Sequence, residues 1–236
     1  MPDALGFEIL IEDDAVLAVA KPSGIATQAP PEIDSLEVRI KRYLAAPGQD
    51  VDSVYLGIPH RLDRPASGAI VFAKTRRAAR QLSKQFERRT VKKTYWICVE
   101  RIVEPLAGTW TDYLHKVYGH PRAAVVDPSL SGAQEAILTY RTIGYHRAGS
   151  WLEIELQTGR THQIRVQAAT RGYPVLGDAH YGSAICFGQQ YEDERLRAIA
   201  LHARSLQFAH PTTREMMTAC APLPAEWNDL ELTSTG

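Results

Sequence analysis

An aspartate set between two arginines, in His60-Arg61-Leu62-Asp63-Arg64-Pro65-Ala66-Ser67-Gly68, is the segment of this sequence best suited to chemistry. Flanking cations favour the ionised carboxylate, and an ionised carboxylate fixed in a cleft serves as nucleophile or base. On spacing alone, a salt bridge that pins a loop is the simpler account. A second segment, Gly159-Arg160-Thr161-His162-Gln163-Ile164-Arg165, begins where an apolar strand ends and opens a short helix. Backbone N–H groups at a helix start, with two arginines and the neutral pair His162 and Gln163, suit an anion or a carboxylate. An ordinary capped turn has the same look. Lys92-Lys93-Thr94-Tyr95 puts an aromatic face beside positive charge, the pairing that stacks bases while holding phosphates; a half-buried strand tyrosine is the commoner case. Leu201-His202-Ala203 and His210-Pro211 read as a core strand and a turn. The eight histidines show no convincing metal-ligand spacing.

These segments need elements to hold them. Phe7 to Ile11 and Ala15 to Ala20 form an apolar pair around Glu12-Asp13-Asp14, which predicts a hairpin closed by Lys21-Pro22-Ser23-Gly24. Leu36, Ile40, Tyr43 and Leu44 recur at helical spacing after Asp34-Ser35, and the run stops at Pro47-Gly48. Ala69 to Ala73 is a short strand, after which Thr75 caps a helix with Ala79, Leu82 and Phe86 on one stripe. Thr94 to Glu100 has strand composition. Ala136-Leu138-Tyr140 and Leu152-Ile154-Leu156 alternate as half-buried strands do. Thr161 to Arg171 is a short helix stopped by Gly172, and Leu201 to Phe208 a late strand. Thr111 to Gly132 is loop-rich, and its role is not legible from the sequence. The expected fold is α+β: a large, mixed, mainly antiparallel sheet flanked by helices and loops.

At 236 residues with no repeat, linker or low-complexity tract, a single domain over 1–236 is expected. Three scattered cysteines without a Cys-x-x-Cys pair read as reduced thiols. No leader-like run opens the chain and no stretch approaches a membrane span, so a cytoplasmic protein without membrane attachment is expected. The charge balance is the awkward feature, since 27 Lys and Arg match 27 Asp and Glu, whereas a nucleic-acid binder is expected to show a basic face. Locally the balance breaks: Lys74 to Lys93 holds nine basic residues against Glu87 alone. A basic stripe and an ordinary solvated helix face fit that stretch equally well.

Taken in order, Lys21-Pro22-Ser23-Gly24, His60-Arg61-Leu62-Asp63 with Ser67-Gly68, Lys93 with Tyr95, the Gly159 to Arg165 segment, Gly177-Asp178 with Tyr181-Gly182, Leu201-His202-Ala203, His210-Pro211 and Ala221-Pro222-Leu223-Pro224 resemble the pattern of the RluA-type pseudouridine synthases over nearly the whole chain. The resemblance implies that family's catalytic fold and an isomerase that converts uridine in RNA to pseudouridine. It implies Asp63 as the catalytic aspartate, Tyr95 as the aromatic residue against the uracil, and Arg165 as the cation paired with the aspartate. Arg61 would occupy the gap left by the departing uridine, Arg160, His162 and Gln163 would lie on the substrate side, and Leu201 near the apolar wall of the uracil pocket. Ala66 departs from the pattern, where the family usually has Thr. Many relatives carry an RNA-binding module ahead of the catalytic domain; here the match starts within the first few residues, so a stand-alone catalytic domain is expected.

The implied reaction breaks the bond from ribose C1′ to uracil N1, turns the base and joins C1′ to C5. No atoms are gained or lost, so neither cofactor nor metal is expected. The expected partner is a tRNA or rRNA stem-loop, recognised by shape and by a flipped base, by a protein expected to be a monomer. Asp63 acting at C1′, at C2′ or at uracil C6 remain three open routes, the sugar-centred two preferred. Arg165→Met is expected to cost activity much more than folding. Two other classes stay in view: an RNA-binding protein with a relict site, and a glycoside or nucleoside hydrolase, which would need a second acid.

Overall fold

In the computed structural model, which describes residues 5–30 and 32–235, the first four residues of the expected leader-free N-terminus lie outside the described part. The strands are β1 (Glu8–Glu12), β2 (Val16–Lys21), β3 (Ser67–Ala73), β4 (Lys92–Cys98), β5 (Ala107–Lys116) and β6 (Ala123–Val126). They continue as β7 (Gln134–His146), β8 (Gly149–Leu156), β9 (Leu201–Ala209), β10 (Met216–Cys220) and β11 (Thr233–Ser234). Three α-helices, α1 (Leu36–Leu44), α2 (Arg76–Glu87) and α3 (Gln163–Thr170), complete an α+β fold whose strand pairs are mainly antiparallel, as expected. The chain separates into two compact units, one running up to Lys92 and including Ala203–Leu223, the other Lys93–His202 and the residues from Pro224 on.

In the first unit β1, β2 and β3 pair antiparallel in that order, β9 follows β3, and β10 pairs with β9. Every residue of β3 is buried, which is why Ala69 to Ala73 reads as an unbroken apolar run rather than an alternation. The two helices start where their caps dictate: the Ser35 hydroxyl accepts from Val38 N–H and the Thr75 hydroxyl from Ala78 N–H. Helix α2 sets Ala78 and Leu82 against Val71, Leu206 and Phe208. Gln85 then clamps it to the end of β9, donating to the Ala209 carbonyl at 2.8 Å and accepting from the Ala209 N–H at 2.9 Å.

Gly68 lets β3 close on the backbone of Ala203. Its φ is +119°, and a Cβ built there falls well under 3.0 Å from the backbone N, C and O of Ala203. Only glycine permits this approach. Gly68→Ala is therefore expected to destabilise the protein by about 3 kcal/mol or more, read as a loss of denaturant midpoint at unchanged slope; a change under about 1 kcal/mol would show that the strands can part cheaply.

The second unit is an antiparallel sheet in the order β4, β8, β7, β5, β6, with β11 along β7. The loop-rich stretch Thr111 to Gly132 also holds strand, because β5 continues to Lys116 and β6 pairs with it from Tyr113↔Val126 to Lys116↔Ala123. Only Trp110 and Leu114 of β5 are fully buried, so the two-residue alternation that signals a strand is diluted by polar residues. Ala123 and Ala124 add little strand propensity. Helix α3 is short and its first six residues are all buried, and it ends at Gly172, whose φ is +81°.

Candidate active site

The Asp63 loop belongs to the first unit and is held from beneath. Leu62 is buried while Arg61 is exposed and Asp63 half-buried, so the loop is anchored by its middle apolar residue with a charged group on either side. Thr27 locks that anchor in both directions: its hydroxyl donates to the Leu62 carbonyl at 3.0 Å and accepts from the Leu62 N–H at 3.1 Å. Gly24 N–H donates to the Arg64 carbonyl at 2.9 Å, and Ala66 N–H to the Asp63 carbonyl at 3.2 Å. At the loop's start His60 stacks on Phe86 of α2 at 4.3 Å and accepts from Val71 N–H of β3.

The residue that the sequence reading passed over is Lys21. It ends β2 and is 1% exposed. Its ammonium donates to the carbonyls of Pro22 at 2.8 Å, Ile25 at 2.9 Å and Arg64 at 3.2 Å, three acceptors for three protons. Burial pulls its pKa down to about 7, the negative charge of Asp63 pulls the other way, and Arg64 adds to the fall. Lys21 is therefore a buried amine, protonated below about pH 7, that feels the charge of Asp63 and ties the turn after β2 to the loop that carries it. The Lys21-Pro22-Ser23-Gly24 segment signalled only a turn; nothing in it marked the lysine as buried, since lysine is seldom so.

The shift has a consequence for stability. The folded-state pKa of Lys21 lies below its ordinary value of 10.5, so between about pH 7 and 10.5 the unfolded chain binds more protons and stability rises with pH. Lys21→Met removes this rise and leaves three carbonyls short of a donor. We expect a loss of about 1–3 kcal/mol, larger at pH 9 than at pH 7, measurable by denaturant unfolding across that range. A loss independent of pH would mean that Lys21 does not titrate there.

The second unit carries the other motif residues. Arg165, in the buried α3, forms a two-pronged ion pair with Asp178: Nε to Oδ2 at 2.6 Å and Nη2 to Oδ1 at 2.9 Å, with the side chains 6% and 1% exposed. Its guanidinium also lies 5.0 Å from the ring centre of Tyr181, and that of Arg122 lies 5.4 Å from it. Burial raises the Tyr181 phenol above its ordinary range. That phenol accepts from Ala123 N–H and meets His162 Nδ1, each at 2.9 Å, an arrangement satisfied when the phenol donates to Nδ1. His162 precedes α3 in the left-handed region, at φ 53°, so the helix begins at Gln163 and not at Thr161. Asp178 and Tyr181 stood in the sequence motifs without a role; the structure makes them the partners that fix Arg165 and His162.

Gln163 is 2% exposed. Its carbonyl accepts from the Thr158 hydroxyl and Arg160 N–H, and its amide donates to the Ile137 carbonyl, which binds the turn to β7. Arg160 reaches the Glu135 carbonyl through Nε at 2.9 Å. Lys93 donates to the Thr158 carbonyl at 3.3 Å. Tyr95 sits in β4 opposite Ile154 of β8 and is 8% exposed. Leu201 is buried at the start of β9. Glu153 accepts from Trp96 Nε1 at 3.1 Å and from Arg141 Nε at 2.8 Å.

The first unit thus presents a carboxylate on a pinned loop, and the second holds a buried guanidinium on its own carboxylate. Residues 15–170 match the family of RNA pseudouridylate synthases. The chain is 36% identical over 233 residues to the uncharacterised RNA pseudouridine synthase YhcT of Bacillus subtilis, covering 98% of this chain and 73% of that one. It is 32% identical over 237 residues to the ribosomal large subunit pseudouridine synthase D of Xanthomonas campestris, covering 95% and 68%. The fold matches the human RNA pseudouridylate synthase domain containing 4 with a TM-score of 0.73 at 22% identity, over 97% and 95% of the two chains. The protein belongs to the RNA pseudouridine synthase family, of the RluA type, and is an isomerase acting on RNA.

Proposed function

We propose that this protein converts specific uridines in a tRNA or rRNA stem-loop to pseudouridine, in the cytoplasm and as a monomer, its two units working as one catalytic domain with Asp63 as the catalytic carboxylate. The observation that carries the proposal is the loop of Asp63. It matches the family pattern at His60-Arg61-Leu62-Asp63, and it is braced by Lys21, Thr27 and Gly24, with Leu62 buried beneath it, Arg61 exposed and Asp63 half-buried. A carboxylate that must meet one ribose carbon or one uracil carbon needs such a brace, because misplacement by an ångström can lower a rate a hundredfold.

The target uridine leaves its stack, at the expense of a few kcal/mol in a paired site and less in a loop, and Arg61 fills the gap. Asp63 then acts at C1′ or C2′ of the ribose, or at C6 of uracil. The C1′–N1 bond breaks, the uracil turns while stacked on Tyr95 beside the apolar wall at Leu201, and C1′ bonds to C5. The proton on C5 leaves last, with the Tyr95 phenol as the nearest proposed acceptor. Arg165 takes the role of the cation that the family pattern pairs with the catalytic aspartate, and Arg160, His162 and Gln163 shape the RNA side of the site. Atoms balance without a cofactor, since N1 gains a proton and C5 loses one.

Incubating the enzyme with tRNA and large-subunit rRNA transcripts, then digesting the RNA to nucleosides, distinguishes this reading from its rivals. Pseudouridine without free uracil is expected. Free uracil would establish a hydrolase, and tight binding with neither product would establish a binding protein.

A further inference from the structure

Helix α2 presents a face that works against its own stability. Arg77, Arg80, Lys84 and Arg88 are exposed at helical spacings of three, four and four residues, with Arg76 beside them. They occupy an arc opposite Ala78 and Leu82 and run about 18 Å along the helix from Arg76 to Arg88 at 1.5 Å per residue. Among the described residues, Arg77, Arg80, Lys84 and Arg88 form no ion pair. The turn between β9 and β10 adds Arg214, exposed and donating to Gln81 at 3.3 Å.

Three local penalties accompany this face. No acidic residue lies in the first turn of α2, where Arg76 and Arg77 stand at the positive end of the helix dipole. Arg76, Arg80, Lys84 and Arg88 follow one another at intervals of four, like charge over like charge. Past the helix end, Arg89 takes the left-handed conformation, φ 58°, at a position where glycine is the usual and unstrained choice. A merely solvated face would alternate signs. The chain is neutral overall, while residues 76–89 hold six basic groups against Glu87; the remainder is therefore net negative by five and on balance repels a polyanion.

We propose that this face of α2, with Arg214, is a docking surface for the phosphate backbone of the structured RNA substrate, gripping the stem away from the target uridine. The proposal rests on the reading of the protein as an RNA isomerase. Phosphate is the chemistry that relieves the repulsion among these cations, and a row of guanidinium groups suits its geometry.

The test is the quadruple variant Arg77→Gln/Arg80→Gln/Lys84→Gln/Arg88→Gln, with Arg195→Gln/Arg197→Gln as a control of charges already paired with Asp193 and Glu194. Binding of fluorescent tRNA and rRNA stem-loop transcripts is followed as salt is raised from about 50 to 200 mM. The quadruple variant is expected to lose at least about tenfold in affinity, and its log–log salt dependence to become shallower by about three, while the control keeps the wild-type slope. Its melting temperature should not fall, because repulsion has been removed. A wild-type slope in the quadruple variant overturns the docking surface, as does selective loss of binding to phosphatidylserine vesicles with RNA affinity unchanged. Pseudouridine assays on the same samples separate the two readings. Wild type that binds through α2 yet forms no pseudouridine sinks the enzyme assignment alone; wild type that isomerises while the variant binds RNA equally well sinks the docking surface alone; absence of RNA binding sinks both.

Discussion

Asp63→Asn is expected to lower pseudouridine formation at least a thousandfold, with RNA affinity altered less than about threefold. The replacement keeps the shape of the side chain and the loop bonds made by Leu62, Arg64 and the Asp63 carbonyl. It removes the charge that serves as nucleophile or base, and catalytic groups of that kind are commonly worth several powers of ten. Lys21 supplies an internal check. Its ammonium is supported by the charge of Asp63 against burial, so the Asp63→Asn variant should have a Lys21 pKa depressed further and should lose stability most near and below pH 7. Single-turnover assays with excess enzyme, alongside unfolding at pH 6 and pH 9, read both effects. Residual activity within about tenfold of wild type would assign the chemistry to another group.

The second large effect concerns Arg165 and Asp178. From the sequence, Arg165→Met is expected to cost activity far more than folding, but the structure changes that expectation. With its side chain 1% exposed, Asp178 cannot reach water when Arg165 is removed, and an uncompensated buried charge costs about 3–5 kcal/mol. Arg165→Met should lower the melting temperature by roughly 6–20 °C, at about 2–4 °C per kcal/mol for a chain of this size. The double variant Arg165→Met/Asp178→Leu leaves no orphaned charge and should recover most of that loss, since apolar groups often replace a buried ion pair without penalty. Its activity should stay at least a hundredfold down. If the double variant regains both stability and activity, the pair is structural only.

Much of this architecture is legible residue by residue. Ser35 and Thr75 announce their helices because a side-chain oxygen that accepts from the third N–H onward is a local device, complete within four residues. The hairpin of β1 and β2 and the buried run of β3 follow from apolar pattern for the same reason. What escapes is non-local. Strand β10 emerges from Met216–Cys220 only through its pairing with β9; the end of β5 is hidden by outward polar residues, and β6 by the weak strand propensity of Ala123 and Ala124. The site divides along the same line. Asp63, Tyr95 and Arg165 are identified through the family pattern, whereas on spacing alone a loop-pinning salt bridge and a half-buried tyrosine come ahead of chemistry, and a capped turn fits the third segment as well. The burial of Lys21 and the joining of Arg165 to Asp178, 13 residues on, depend on how β2, α3 and the 178–181 turn pack. No window of sequence contains them.

The central claim is tested most directly with tRNA and large-subunit rRNA transcripts carrying tritium at uracil C5, incubated with wild type and with Asp63→Asn. Joining C1′ to C5 expels the C5 hydrogen, so the wild type is expected to release tritium to water from one transcript in proportion to pseudouridine formed, and the variant to release none. Equal release by both proteins, or retention of all label in a transcript that the wild type binds tightly, would contradict an Asp63-dependent isomerase.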